Sequence, residues 1–114
     1  MTLRFSSSYA LAYDLLNEGK PYKEEVNFVL SIYENHNKPG SLPTSVLDLG
    51  CGSGMHLSKL PPSVKKTGVD LSESMLAVAS KRNIPNSTYA LANIGDFQTD
   101  EQFDLVYSLF HVMS

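Results

Sequence analysis

One cysteine in 114 residues leaves no internal disulfide to form, which excludes the stapled framework of a small secreted scaffold. Basic charge is also short. Nine Lys and Arg against twelve Asp and Glu give a net charge of -3 and a pI near 5.5, without the basic face that nucleic-acid binding requires. No apolar run approaches the roughly 18 residues of a membrane span, and no basic stretch followed by an apolar one opens the chain as a signal peptide would. No His, Cys or carboxylate cluster has metal-ligand spacing, so no metal is expected. Repeats and low-complexity segments are missing too. What is present, 42% hydrophobic and 18% charged residues, is the composition of a soluble globular protein. The length fits one domain at the small end for an α/β enzyme. Cytoplasmic residence is the expectation.

The informative stretch is Val46-Leu47-Asp48-Leu49-Gly50-Cys51-Gly52-Ser53-Gly54. Apolar residues interrupted by one carboxylate, then glycines on alternate positions, read as a buried strand entering a tight loop. Glycine serves where the backbone must take positive φ or let a ligand lie against it. Met55 to Leu60 has the spacing of a short helix. Strand, glycine loop and helix open a Rossmann-like nucleotide site. A second strand, Lys66-Thr67-Gly68-Val69-Asp70, ends on an acid about 20 residues beyond the first glycine, where dinucleotide folds bind ribose hydroxyls. Two features argue against an NAD-dependent oxidoreductase. The third fingerprint glycine would fall at Met55, and Asp48 at the loop entrance would repel a pyrophosphate. An acid there suits a ligand carrying positive charge.

Around this unit the chain reads as alternating elements. Ser8 caps a short amphipathic helix through Leu16, and residues 17–21 break it. Tyr22 to His36 repeats Tyr22, Val26, Val29, Leu30 and Tyr33 at helical spacing, with Glu24 and Glu25 complementing the helix dipole. Residues 37–45 form a linker. Pro61-Pro62 stops the helix after the glycine loop. Ser72 is the N-cap of a helix to about Arg82, and Thr88 to Ala92 is a third strand. Phe97 to Gln102 is polar loop. Phe103 to Ser108 is a fourth strand, and Leu109 to Ser114 begins another helix. The alternation predicts βαβαβ with right-handed crossovers, hence a parallel sheet.

The glycine stretch followed by Gly68-Val69-Asp70-Leu71-Ser72-Glu73-Ser74-Met75-Leu76 resembles motifs I and II of class I S-adenosylmethionine-dependent methyltransferases. The resemblance implies a Rossmann-like sheet of order 3-2-1-4 with flanking helices, residues 1–45 serving as a helical opening segment and 46–114 as the cofactor half. The family fold continues with three more strands, so the carboxyl-terminal half is incomplete and the chain reads either as a shortened gene product or as a part of something longer. The apolar fourth strand would then be an uncovered edge, through which two copies are expected to associate.

The same resemblance assigns residues. Gly50, Gly52 and Gly54 would contact the cofactor, with Cys51 bordering it through its backbone rather than acting as a nucleophile. Asp70 would bind the ribose, Leu71 would pack on the adenine, and Asp48 would cap the loop while facing the methionine end. Asn93, with Ile94 beside it, stands where the adenine amino group is received; Asp96 is the alternative. His111 borders the acceptor pocket and is the candidate base, whereas His56 and His36 read as structural. Tyr13-Asp14-Leu15-Leu16 with Gly19-Lys20-Pro21-Tyr22 and Glu25 is similar to the opening segment of N-methyltransferases acting on nucleotide-linked amino sugars. In those enzymes such tyrosines close over cofactor and substrate; the alternative for Tyr13 and Tyr22 is helix packing. The implied function is methyl transfer from S-adenosylmethionine, leaving S-adenosylhomocysteine, to a small-molecule nitrogen or oxygen. A cofactor-binding fragment or assembly module without turnover is the competing reading.

Overall fold

A computed structural model describes residues 21–108 of the chain. The helix expected from Ser8, Tyr13 within it, and the segment from Leu109 containing His111 lie outside the described residues. Helix α1 (Tyr22–Asn35) follows Pro21, carries Glu24 and Glu25 in its first turn, and buries Tyr22, Val26 and Val29. It stops at His36, whose backbone N–H bonds back to Ile32 and Tyr33, while the Asn37 amide donates to the Tyr33 carbonyl at 2.7 Å. That side chain satisfies one of the carbonyls every helix end leaves open.

Four strands follow: β1 (Ser45–Leu49), β2 (Lys65–Asp70), β3 (Ser87–Leu91) and β4 (Leu105–Tyr107). They form one sheet of order β3-β2-β1-β4, parallel throughout. This is the predicted order. β4 is shorter than the expected Phe103–Ser108. Asp104 is taken out of the strand to anchor its start: its N–H donates to Ser45 O at 3.1 Å, and its carboxylate accepts from Thr44 N at 2.7 Å.

The helix expected over Met55–Leu60 is instead a single 3-10 turn, Leu57–Lys59. Gly54 and Pro61 leave too few residues between them for α-helix nucleation, and a three-residue turn is what fits. Helix α2 (Glu73–Lys81) starts as predicted, with Ser72 Oγ accepting from Met75 N at 3.2 Å. Its Met75, Leu76, Val78 and Ala79 are buried.

The core joins Val26, Val46, Cys51, Leu57, Leu60, Val64, Leu76 and Ile84, with Leu105 and Tyr107 packed against it. Alternation along a strand puts Val46 and Asp48 on one face of β1 and Leu47 and Leu49 on the other. On the second face a cavity of about 700 Å³ opens between Leu47, Leu49 and the loop from Ile94 to Asp100. Gly68 lets the loop close on β2, since a Cβ there would sit 2.7 Å from Cys51 Sγ and 3.0 Å from Leu57 Cδ1.

The helix-bearing face also buries a lysine. Lys66 is 0% exposed, and its ammonium donates to Pro61 O at 3.0 Å, Val64 O at 2.8 Å and Pro85 O at 2.7 Å. One cation thus ties the loop before β2 to the loop before β3.

Candidate cofactor site

The site lies where β1, β2 and β3 end side by side. Gly50 N and Cys51 N both donate to Val69 O, at 2.7 and 3.0 Å, binding the start of the glycine loop to β2. The loop then turns through positive φ at Gly50, Gly52 and Gly54 (85°, 56° and 85°). Two of these glycines face different surroundings. A Cβ on Gly52 would meet nothing within 4 Å, whereas one on Gly54 would lie 3.0 Å from Ile84 Cδ1 and 3.1 Å from Ala79 Cβ. Gly52 therefore presents bare backbone to open space, and Gly54 lets α2 approach.

Asp70 fastens this loop. Its two oxygens accept from Gly52 N at 2.8 Å and Ser72 N at 2.9 Å, so one carboxylate holds both the loop and the entrance to α2. A carboxylate has about four acceptor sites, which leaves lone pairs for hydroxyl donors. Beside it, Leu71 and Ile94 are each 37% exposed, giving two apolar side chains at the ends of neighbouring strands. Asn93 Oδ1 accepts from Gly95 N at 2.9 Å. The oxygen expected to receive an adenine amino group is thus already folding its own turn, with its second lone pair left.

Asp48 is 1% exposed, and neither of its oxygens has a hydrogen-bond partner. The expectation that it caps the loop by bonding backbone amides is not met; Asp70 does that instead. Burial, reinforced by the Asp70 charge, pushes the Asp48 carboxyl up to about 7, with the Tyr107 phenol pulling the other way. That phenol is near enough to act on the carboxyl, yet the two do not reach hydrogen-bonding geometry, and its oxygen is also buried without a partner. An orphaned buried carboxylate is costly, and folded proteins keep few of them. Burial likewise pushes the Cys51 thiol well up, with Asp48 and Asp70 adding, so it stays protonated and unreactive near neutral pH.

The structure places Tyr22 differently from the closing role. It is 5% exposed and sits edge-on to His56, ring centres 4.9 Å apart. That is the packing alternative. His56 is buried as well, its Nε2 3.1 Å from Glu25 Oε1, which makes it a pin between α1 and the 3-10 turn. The sequence motifs do not include Tyr107, although its alternation with Leu105 along β4 puts both on the face packed against the core. Among the described residues no group of three or more His, Cys, Asp or Glu could hold a metal ion.

With this geometry in place, comparison decides the family: the model of a methyltransferase domain matches residues 46–114. The chain belongs to the class I S-adenosylmethionine-dependent methyltransferases. It is 33% identical over 109 residues to dTDP-3-amino-3,6-dideoxy-alpha-D-glucopyranose N,N-dimethyltransferase of Streptomyces fradiae, covering 93% of this chain and 41% of that one. It is 34% identical over 110 residues to malonyl-[acyl-carrier protein] O-methyltransferase of Bacillus cereus, covering 92% of this chain and 39% of the relative. Among solved structures, a SAM-bound amino pentose methyltransferase from Micromonospora echinaspora matches with a TM-score of 0.72 at 29% identity, over 96% of this chain and 44% of that one. The chain therefore spans about two fifths of the length of the relatives it matches.

The residues of this methyltransferase domain fit S-adenosylmethionine. Asp48 has a buried carboxyl without a partner, which a cationic group would answer; the Gly52 backbone is open; Asp70 has lone pairs beyond the two bonds it accepts; and Leu71 and Ile94 are partly exposed apolar side chains.

Proposed function

We propose that this chain carries the cofactor half of an enzyme that methylates a small-molecule nitrogen or oxygen, an amino-sugar amine being the first candidate. The observation that carries the reading is the pairing, on adjacent strand ends, of a buried unpartnered Asp48 with Asp70 clamped to the glycine loop. The similarity to an amino-sugar N,N-dimethyltransferase supports the amine; the similarity to a malonyl-[acyl-carrier protein] O-methyltransferase supports an oxygen acceptor, there one borne on a carrier protein. Bound S-adenosylmethionine supplies a methyl carbon already activated by its sulfonium. The protein's part is to hold the reacting groups in line and keep water out, which is catalysis by proximity and orientation. His111 is the proposed base, taking the proton that an ammonium loses before its lone pair attacks the methyl carbon, or that a hydroxyl gives up as it attacks; an amine that arrives already neutral needs only to be desolvated. Asp48, Gly50, Cys51 backbone, Gly52, Gly54, Asp70, Leu71, Asn93 and Ile94 form the proposed cofactor surface, with Tyr13 proposed to close over it. The reading includes cytoplasmic residence, where a lone cysteine stays reduced.

The test is titration of the chain with S-adenosylhomocysteine, followed by methyl transfer from labelled S-adenosylmethionine to a nucleotide-linked amino sugar and to a malonyl thioester. Saturable binding with transfer to one acceptor is expected. A cooperatively melting chain that binds neither cofactor form would end the proposal.

A second reading, a binding or assembly module without turnover, is favoured by β4. That strand closes the sheet among the described residues, and Val106 on it is 51% exposed. An edge with unpaired backbone groups invites a second copy. Sedimentation should show a dimer that Val106→Lys dissociates, and a wild-type chain that stays monomeric at high concentration would remove this reading.

A further inference from the structure

We propose that Tyr107 is the positioning residue for Asp48: its buried hydroxyl supplies the hydrogen bond that the carboxylate takes up when a cationic ligand fills the site. This rests on the reading of the strand ends around the glycine loop as a S-adenosylmethionine site, and it concerns a residue that neither methyltransferase motif contains.

The geometry is specific. Asp48 and Tyr107 are register partners on the parallel strands β1 and β4, so their side chains leave the same face of the sheet. Both carboxylate oxygens and the phenol oxygen are buried and without partners. Two neighbouring groups, one an acceptor and one a donor, are thus left unbonded within the same core. Burial, with Asp48 and Cys51 adding, drives the Tyr107 phenol far above its ordinary pKa, so the oxygen keeps its proton and can only donate to a carboxylate. The titratable groups acting on Asp48 are Tyr107 from β4, Asp70 from the end of β2 and Cys51 from the loop. Two of these, Asp70 and Cys51, offer no stabilisation to a negative charge. Tyr107 does.

The sign of the effect follows. With no ligand the Asp48 carboxyl, raised to about 7, holds a proton in mildly acidic solution and needs no donor. A cationic ligand draws it into the ionised form, so binding releases a proton below neutrality and affinity for S-adenosylmethionine rises with pH until it levels above about 7. Without the phenol, the ionised carboxylate lacks its donor in the complex. At alkaline pH it lacks that donor in the free protein as well, and the deficit cancels. Tyr107→Phe should therefore weaken binding by roughly ten-fold or more in acid, as loss of a charge-assisted bond implies, and by much less at alkaline pH. A phenol that merely filled space would weaken binding equally at every pH.

The experiment is calorimetric titration of S-adenosylmethionine into wild type, Tyr107→Phe and Asp48→Asn across pH 5.5–8.5, in buffers of differing ionisation enthalpy so that released protons are counted. The chain has six Tyr and no Trp, so the near-ultraviolet difference spectrum on binding reports tyrosine directly. The expected result is a Tyr107→Phe deficit that grows toward acid, no proton release from Asp48→Asn, and a red shift in the wild type that Tyr107→Phe lacks. A Tyr107→Phe profile parallel to wild type, with Asp48→Asn still free of proton release, overturns the role of Tyr107 and leaves the cofactor reading standing. Failure of the cooperatively folded wild type to bind at any pH overturns both.

Discussion

Asp70→Ala should weaken S-adenosylhomocysteine binding by about 1–3 kcal/mol, the usual result of stranding buried hydrogen-bond partners, or roughly five- to 150-fold. The loss has two sources. One is the acceptor for ribose hydroxyls. The other is the anchor of the loop, because the amides of Gly52 and Ser72 both donate to this carboxylate and would be left without it. Asp70→Asn separates them. An amide has a single acceptor oxygen, so it can serve one of the two backbone amides while its NH2 faces the other, donor to donor. Removing the negative charge also lets the Asp48 carboxyl fall toward its ordinary range, since Asp70 is one of the two causes that raise it. Calorimetry should therefore show both variants weakened and the proton release of wild type reduced in each. If Asp70→Ala binds as tightly as wild type while melting cooperatively, Asp70 neither holds the loop nor touches the ligand.

How much of this was legible beforehand depended on whether a signal was local. The glycine spacing, the Ser72 cap and the acid ending β2 are each read from a few consecutive residues; they place the loop, and with the strand–helix alternation they give the parallel sheet, whereas its order is implied only by the family resemblance those residues carry. Asp48 was marked as unsuited to a pyrophosphate for the same local reason. What failed was the partner of each side chain. Nothing near Asp48 in sequence says that Asp70, rather than Asp48, bonds the loop amides, because that depends on how far apart β1 and β2 end. Tyr107 lies 59 residues from Asp48 and meets it only through the β1–β4 register. Tyr22 carried both a closing and a packing interpretation, and its burial against His56 depends on where the 3-10 turn sits. That turn replaces the expected helix, since proline fixes where a helix stops but not whether the few residues before it can nucleate one.

Lys66 is the largest of these non-local features, and Lys66→Met tests it. Methionine keeps most of the apolar stem and removes the ammonium that bonds three carbonyls. Two effects oppose each other. Burying an ammonium costs several kcal/mol, and deleting it recovers that cost. Against this, the carbonyls of Val64 and Pro85 lose their donor, at about 1–3 kcal/mol each, and the bonds lost are charge-assisted. Pro61 O is less exposed to the loss because Val64 N also donates to it, at 3.1 Å. The fold already accommodates the ammonium with three well-placed acceptors, so the losses should exceed the recovery. A net destabilisation of about 1–2 kcal/mol is expected once the recovered desolvation is set against these losses, or a fall in melting temperature of roughly 4–8 °C for a domain of this size. The effect should stop at stability. Lys66 lies near the start of β2 and Asp70 at its end, so the loops joined by the ammonium are at the opposite end of the strands from the glycine loop. Titrated well below its melting temperature, Lys66→Met should bind S-adenosylhomocysteine as wild type does. A variant that melts no lower than wild type would show that the desolvation cost outweighs the three bonds. One that folds fully yet loses affinity would show that the two ends of β2 are coupled.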